Sequence, residues 1–282
     1  MTIRALLVHD TRDREGGLRP TIPLVSPLSV VEAVLEVSWD LKGLLRMRRL
    51  SALLSLRSSC SMHAGVSPHW EAMWAQEGGL QKGTRFDVAG TSLTLAAELR
   101  RRQPPVRPGL TALVPGCGRA YDALALAEHG YASVVALDVS PAACEAARAE
   151  LQSSQSPAAD RVEVRCGDFF SLQGEAFDLI WDCTFLCALS PSVRERWAVQ
   201  MRSLLSPQGE LLTCVFPIGE REGGPPYAMS VPLVRSLLEP IGLQPTVIRE
   251  DLPVEEMHRR PADELNSVLK RGTALATWQL QG

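Results

Sequence analysis

No apolar stretch in this 282-residue chain approaches the roughly 20 residues needed to span a bilayer, so membrane insertion is not expected. No basic stripe runs through its body and the formal net charge is −3, which argues against nucleic acid or an anionic membrane as the main partner. The seven cysteines (60, 117, 144, 166, 183, 187, 214) are odd in number, scattered, and form no C-x-x-C pair. The five histidines are equally dispersed and never fall at ligand spacing with a cysteine or carboxylate. The sequence therefore predicts neither a metal site nor a disulfide framework, but small buried thiols in a reducing, cytoplasmic setting. There is also no internal repeat and no low-complexity tract. What remains is ordinary: 45% hydrophobic and 22% charged residues, in a chain long enough to bury a sizeable core without staples.

The first 67 residues differ from the rest. Pro20, Pro23 and Pro27 interrupt any local structure, and the stretch 46–64 carries four arginines, many serines and no acid, the make-up of an organelle transit peptide displaced from Met1. Two readings stand for it: translation from Met47 with targeting to an organelle, or a plain extension with at most a short amphipathic helix. Residues 68–282 are expected to form one domain.

From Pro68 the pattern becomes regular. Trp70, Met73 and Trp74 fall at i, i+3 and i+4 and predict a helix over 68–77. A helix over 91–102 precedes Pro104 and Pro105. Short apolar runs at 110–115, 132–138, 162–170, 177–183, 209–217, 245–249 and 273–280 then alternate with helical segments at about 119–129, 140–151, 192–205 and 230–239. Ser140 followed by Pro141 supplies an N-cap and a first helical position. Strands separated by helices in this way imply βαβ units, hence a doubly wound α/β domain on a mostly parallel sheet of seven strands.

In such a sheet, ligands bind beyond the carboxyl ends of the strands. Pro115-Gly116-Cys117-Gly118 ends the first strand, where Gly116 and Gly118 permit a tight turn and a close ligand approach. The third glycine of the dinucleotide fingerprint is replaced by Tyr121, so the loop alone is equally a structural turn. Asp138 closes the second strand 22 residues after Gly116, where a carboxylate can accept both ribose hydroxyls; its plainer role is to help the Ser140 cap. Asp168 follows the third strand and could accept an exocyclic amine while Phe169 lies against a base, or simply close an Asx turn. Carboxylates at successive strand ends without a phosphate cradle suit S-adenosylmethionine better than a nicotinamide dinucleotide.

W-E-A-M-W…F-D (70–87), L-V-P-G-C-G-R-A-Y-D (113–122), V-A-L-D-V-S (135–140), F-D-L-I-W-D-C-T-F-L-C-A-L (177–189), L-L-S-P-Q-G-E-L-L-T (204–213) and E-G-G-P-P-Y (222–227) together resemble the thiopurine S-methyltransferase superfamily, and most closely its branch of thiol and halide methyltransferases, the harmless-to-ozone-layer type. The resemblance covers residues 68 to the C-terminus. It implies a class I Rossmann-like methyltransferase fold with S-adenosylmethionine as cofactor. Trp70 and Trp74 would close over that cofactor, although a tryptophan pair at this spacing is as readily plain core. Phe86 would stand where the branch usually has Trp. Gly116, Gly118, Asp138, Asp168, Phe169 and Cys183 correspond to cofactor contacts. Cys183 stands where plant members commonly have Tyr, so a phenol that could orient the nucleophile is missing, and Tyr227 would lie near the substrate opening. Cys183, Leu186 and Tyr227 thus outline the substrate pocket.

The reaction implied is methyl transfer to a small soft nucleophile: a thiol, bisulfide or halide, which needs no strong base. No catalytic residue is assigned. A neutral thiol would need a proton acceptor, and Asp87 is a carboxylate in the right segment without being a firm candidate. Competing readings are a different acceptor (a heteroaromatic thiol, selenol or arsenical), a non-catalytic binding protein, and a nicotinamide-dependent protein of the same fold. The protein is expected to act as a monomer on a small molecule.

Overall fold

The structure is a computed structural model describing residues 68–104 and 108–281. The N-terminal extension, the transit-like stretch 46–64 and Met47 lie outside the described residues.

The sheet is built from β1 (Thr111–Pro115), β2 (Ser133–Asp138), β3 (Val162–Cys166), β4 (Phe177–Cys183), β5 (Leu205–Val215), β6 (Leu243–Arg249) and β7 (Ala274–Leu280). Its order is β3-β2-β1-β4-β5-β7-β6. All pairings from β3 to β5 are parallel, and β7 runs antiparallel between β5 and β6. The doubly wound, mostly parallel seven-stranded sheet is thus the architecture expected from the sequence.

The strands read as continuous apolar runs because the sheet is covered on both faces. Alternate residues serve opposite layers. Leu113, Val135, Ile180 and Leu211 point to one side, into a core with Trp197, Met201 and Trp278. Ala112, Val134, Leu179, Trp181 and Leu212 point to the other, toward Leu95, Ala123, Leu126 and Ala147. The first layer is closed by α5 (Arg194–Ser203) and α6 (Val231–Leu238), the second by α2 (Leu93–Arg101), α3 (Tyr121–His129) and α4 (Pro141–Ser153). The first described helix, α1 (Pro68–Trp74), packs Trp74, together with Leu80 from the loop that follows, against Ala143 of α4. Between β6 and β7 runs α7 (Leu265–Arg271), which the sequence pattern did not disclose. None of the described helices is long and apolar enough to cross a membrane.

Local differences from the sequence expectation have physical causes. β5 begins at Leu205 rather than 209: Phe177 pairs with Leu205 but Leu179 already pairs with Glu210, so Ser206–Gly209 bulges out around Pro207, which has no N–H for the ladder. The helix expected from about 119 starts at Tyr121, because the loop from β1 needs one more residue, Ala120, in the left-handed region. Elsewhere the capping logic holds: Ser140 accepts from the Ala143 N–H at 3.1 Å and Ser230 from the Leu233 N–H at 3.2 Å.

Candidate methyl-donor site

Strand order reverses beside β1, and the carboxyl ends of β1, β2 and β3 deliver Gly116–Gly118, Asp138 and Asp168 to one edge of the sheet. The loop after β1 is fixed by its neighbour strand: the Cys117 N–H donates to the Leu137 carbonyl at 3.0 Å and the Gly118 N–H to Asp138 Oδ2 at 3.0 Å. Asp138 Oδ1 accepts the Ser140 N–H at 3.0 Å. Asp138 thus ties the glycine loop and supports the cap of α4, the plainer role that the sequence allowed it. It is buried, and burial pushes its pKa up to about 6, against the opposing pull of the Ser140 and Gly118 N–H groups.

Gly116 and Gly118 adopt φ of 62° and 53°. A methyl group on Gly116 would come within 2.7 Å of the Phe185 ring, and one on Gly118 within 3.3 Å of the Trp74 ring. The loop is therefore a backbone ledge faced by two aromatic side chains, a place that only glycine can occupy without moving them. Phe185 was not anticipated; it follows the end of β4 and packs at 5.1 Å, edge to face, on Phe169.

The aromatic residues of α1 gather around Phe86. Trp70 and Trp74 both meet Phe86 edge to face, at 5.3 and 5.6 Å. Trp74 is buried while Trp70 and Phe86 are half-exposed. Two polar contacts that local patterns do not reveal hold this roof down. Glu71 accepts the Ser140 hydroxyl and, at 3.4 Å, the Ala142 N–H, pinning α1 to the start of α4. Arg119, one residue beyond Gly118, pairs with Asp87 at 2.8 Å, donates to the Leu80 carbonyl, and sits 5.7 Å from the centre of the Trp74 ring. Asp87 Oδ1 meanwhile accepts the N–H groups of Gly83 and Ala89. Both oxygens of Asp87 are thereby engaged in organising the loop under the roof.

Asp168 forms the Asx turn, accepting the Phe170 N–H at 2.9 Å through Oδ1. Its Oδ2 has no hydrogen-bond partner among the described residues. Phe169 is buried in the core under α5, with its ring turned inward.

On the acceptor side, Leu186 is buried in the same core and Tyr227 is half-buried, its N–H donating to the Cys187 carbonyl at 2.7 Å. Cys183 is half-buried at the end of β4. Asp182, just before it, accepts the Leu186 N–H and the Trp197 indole N–H at 2.8 Å, and burial pushes its pKa up to about 6. Beside Tyr227 lies a residue the sequence reading missed. The guanidinium of Arg194 is 5.8 Å from the ring centre, buried, and its Nε and Nη2 have no hydrogen-bond partner among the described residues. Ordinary helix periodicity offers no sign that an arginine at a helix start would turn inward.

The fold and this edge define a Rossmann-like α/β protein with a glycine ledge, an acid at the end of β2 and an aromatic roof. The model of the thiopurine S-methyltransferase family matches residues 67–271, and the chain belongs to that family. It is 46% identical over 138 residues to a probable thiol methyltransferase 2 of Arabidopsis thaliana, covering 49% of this chain and 60% of that protein. It is 43% identical over 141 residues to thiocyanate methyltransferase 1 of Brassica oleracea, covering 50% and 61%. Against the thiopurine S-methyltransferase of Azotobacter vinelandii (strain DJ / ATCC BAA-1303) it is 31% identical over 185 residues, 60% of this chain and 80% of that one. The chain spans about three-fifths of the length of the plant relatives it matches. Among solved structures, the glycopeptide N-methyltransferase MtfA complexed with S-adenosylmethionine aligns with a TM-score of 0.52 at 14% identity, covering 71% of this chain and 99% of that one, a likeness of fold. S-adenosylmethionine is the cofactor that goes with this family, as the sequence suggested.

The residues present fit that cofactor. Asp138 is a buried carboxylate at the end of β2 whose oxygens, already accepting backbone N–H groups, retain lone-pair capacity for ribose hydroxyls. The glycines of the Gly116–Gly118 ledge carry no side chain of their own, and the Phe185 and Trp74 rings that lie against it are faces suited to an adenine or a sulfonium.

Proposed function

We propose that this protein is an S-adenosylmethionine-dependent methyltransferase acting on a small soft nucleophile: a thiol, bisulfide, thiocyanate or halide. The observation that carries the reading is the pairing of Asp138 with the Gly118 N–H at the switch point of the sheet, in a member of a methyltransferase family. The plant relatives' names, thiol and thiocyanate methyltransferase, support a soft sulfur acceptor.

When bound, S-adenosylmethionine supplies a methyl group on a sulfonium, already activated toward attack. The protein's own work is then to bind, align and exclude water. Asp138 would hold the ribose hydroxyls, with Gly116 and Gly118 letting the backbone approach. The spare oxygen of Asp168 would accept the adenine amine, while Phe169 supports the loop from beneath. Trp70, Trp74 and Phe86 would cover the donor, held in place by Glu71 and by the Arg119–Asp87 pair. Cys183, Leu186 and Tyr227 would border the acceptor. There the unpartnered guanidinium of Arg194 offers positive charge to an anionic acceptor, which attacks as the anion and needs no side-chain base.

The test is methyl donor-dependent headspace analysis with sulfide, methanethiol, thiocyanate and iodide offered separately. Volatile methylated product from at least one of them is the expected result. Donor binding by calorimetry with no product from any of the four would remove the small soft acceptor while leaving the donor site in place.

A further inference from the structure

β4 and β5 run parallel with Cys183 opposite Cys214, so the two thiols stand side by side at the carboxyl edge of the sheet. His258 comes to the same point from the segment ahead of α7. Its Nδ1 is 3.6 Å from Cys183 Sγ, and one donor atom from each of the three residues lies within 4.8 Å of the others. Cys214 and His258 are buried; Cys183 is half-buried and marks the open side. The Cys183 thiol faces His258 Nδ1, while the contacts of Cys183 and Cys214 to the Ser92 and Thr94 hydroxyls are longer, 3.7 and 3.9 Å.

We propose that Cys183, Cys214 and His258 form a binding site for a thiophilic divalent cation of closed d shell, zinc foremost. A tetrahedral zinc with Zn–S of about 2.3 Å and Zn–N of about 2.0–2.1 Å sets its ligand atoms about 3.5–3.8 Å apart. The Cys183–His258 pair already stands at that spacing, and the third donor needs a shift of about 1 Å or less. On binding, each thiol gives a proton to solvent and a metal–sulfur bond replaces each S–H. His258 binds as the neutral imidazole. Two thiolates then cancel the dication, so the site carries no net charge into a mostly buried position. Three protein ligands leave a fourth position, on the Cys183 side, for water or an external thiolate. The site shares Cys183 with the acceptor border proposed above, but Cys214 and His258 have no part in that reading, and metal binding is read with no methyl donor or acceptor present.

The experiment takes the full chain, purified with reductant and stripped with a chelator, and titrates it with cobalt(II), then zinc. Thiolate-to-cobalt charge transfer with tetrahedral ligand-field absorption should saturate at one equivalent and vanish when zinc displaces it. The double variant Cys183→Ser/Cys214→Ser should lose the signal and Cys166→Ser should keep it. On the unsubstituted protein, one equivalent of zinc should slow alkylation of Cys183 and Cys214 by about tenfold while leaving the exposed Cys166 as reactive as before. Absence of the cobalt spectrum, its survival in the double variant, or alkylation indifferent to zinc would each overturn the site. So would a Cys183–Cys214 disulfide as the only modification that the pair supports.

Discussion

Glu71 reaches from the first described helix to the hydroxyl of Ser140 at the start of α4, so the helix bearing Trp70 and Trp74 is tied to the same turn that Asp138 supports from below. The aromatic roof and the turn beneath it share one anchoring residue, Ser140. Replacing Glu71 by Ala removes a charge-assisted hydrogen bond of about 1.5–3 kcal/mol. α1 should then exchange its amides faster and donor affinity should fall about tenfold. Calorimetry paired with hydrogen exchange checks this; unchanged affinity with a freed α1 would separate the roof from donor binding.

Asp138→Asn should weaken donor binding by about 1–3 kcal/mol, the scale of a hydrogen bond to a charged acceptor. The pH dependence carries a sign. Burial raises this carboxyl to about 6 in the folded protein, so below that pH the group is largely protonated and cannot accept fully from two hydroxyls. Donor affinity should therefore rise between about pH 5 and about pH 7, with proton release on binding at the acid end. Calorimetry in buffers of different ionisation enthalpy reads the proton directly. The Asn variant should show a flat profile over the same window, and a profile as steep as the parent's would assign the titration to another group.

Gly116→Ala places a side chain at φ 62° and within 2.7 Å of the Phe185 ring. The combined cost should be about 1–3 kcal/mol in urea denaturation. Adding Phe185→Leu should return the steric part and leave the backbone part. A double variant no more stable than Gly116→Ala alone would mean that Phe185 moves aside freely.

Arg194 is a buried cation with two nitrogens unpartnered, a costly arrangement for the fold alone. Arg194→Met should leave stability unchanged or raise it by about 1 kcal/mol, while the KM for an anionic acceptor rises about tenfold. Loss of stability without a change in KM would make the arginine a structural element of the Tyr227 loop.

Much of the architecture was legible in the sequence because a parallel sheet buried on both faces writes its strands as short apolar runs. The switch-point rule then turned Gly116 and Asp138 into neighbours before any coordinates. Asp168 was harder: the Asx turn and the free oxygen are both present, and sequence spacing cannot apportion one carboxylate between two uses. Asp87 carried no local sign of its partner: Arg119, 32 residues on, pairs with it. Arg194 gave no sign at all, since whether a charge at a helix start faces solvent or core depends on what packs above it.

The chain alone determined the strand and helix alternation, the glycine turn and the acid that follows it, because these are local patterns read against a general topological rule. Only the tertiary structure decided which distant side chains share a point in space. Cys183, Cys214 and His258 have no meaningful spacing along the sequence, and become neighbours only because β4 and β5 pair in one register and a later loop folds back across their ends.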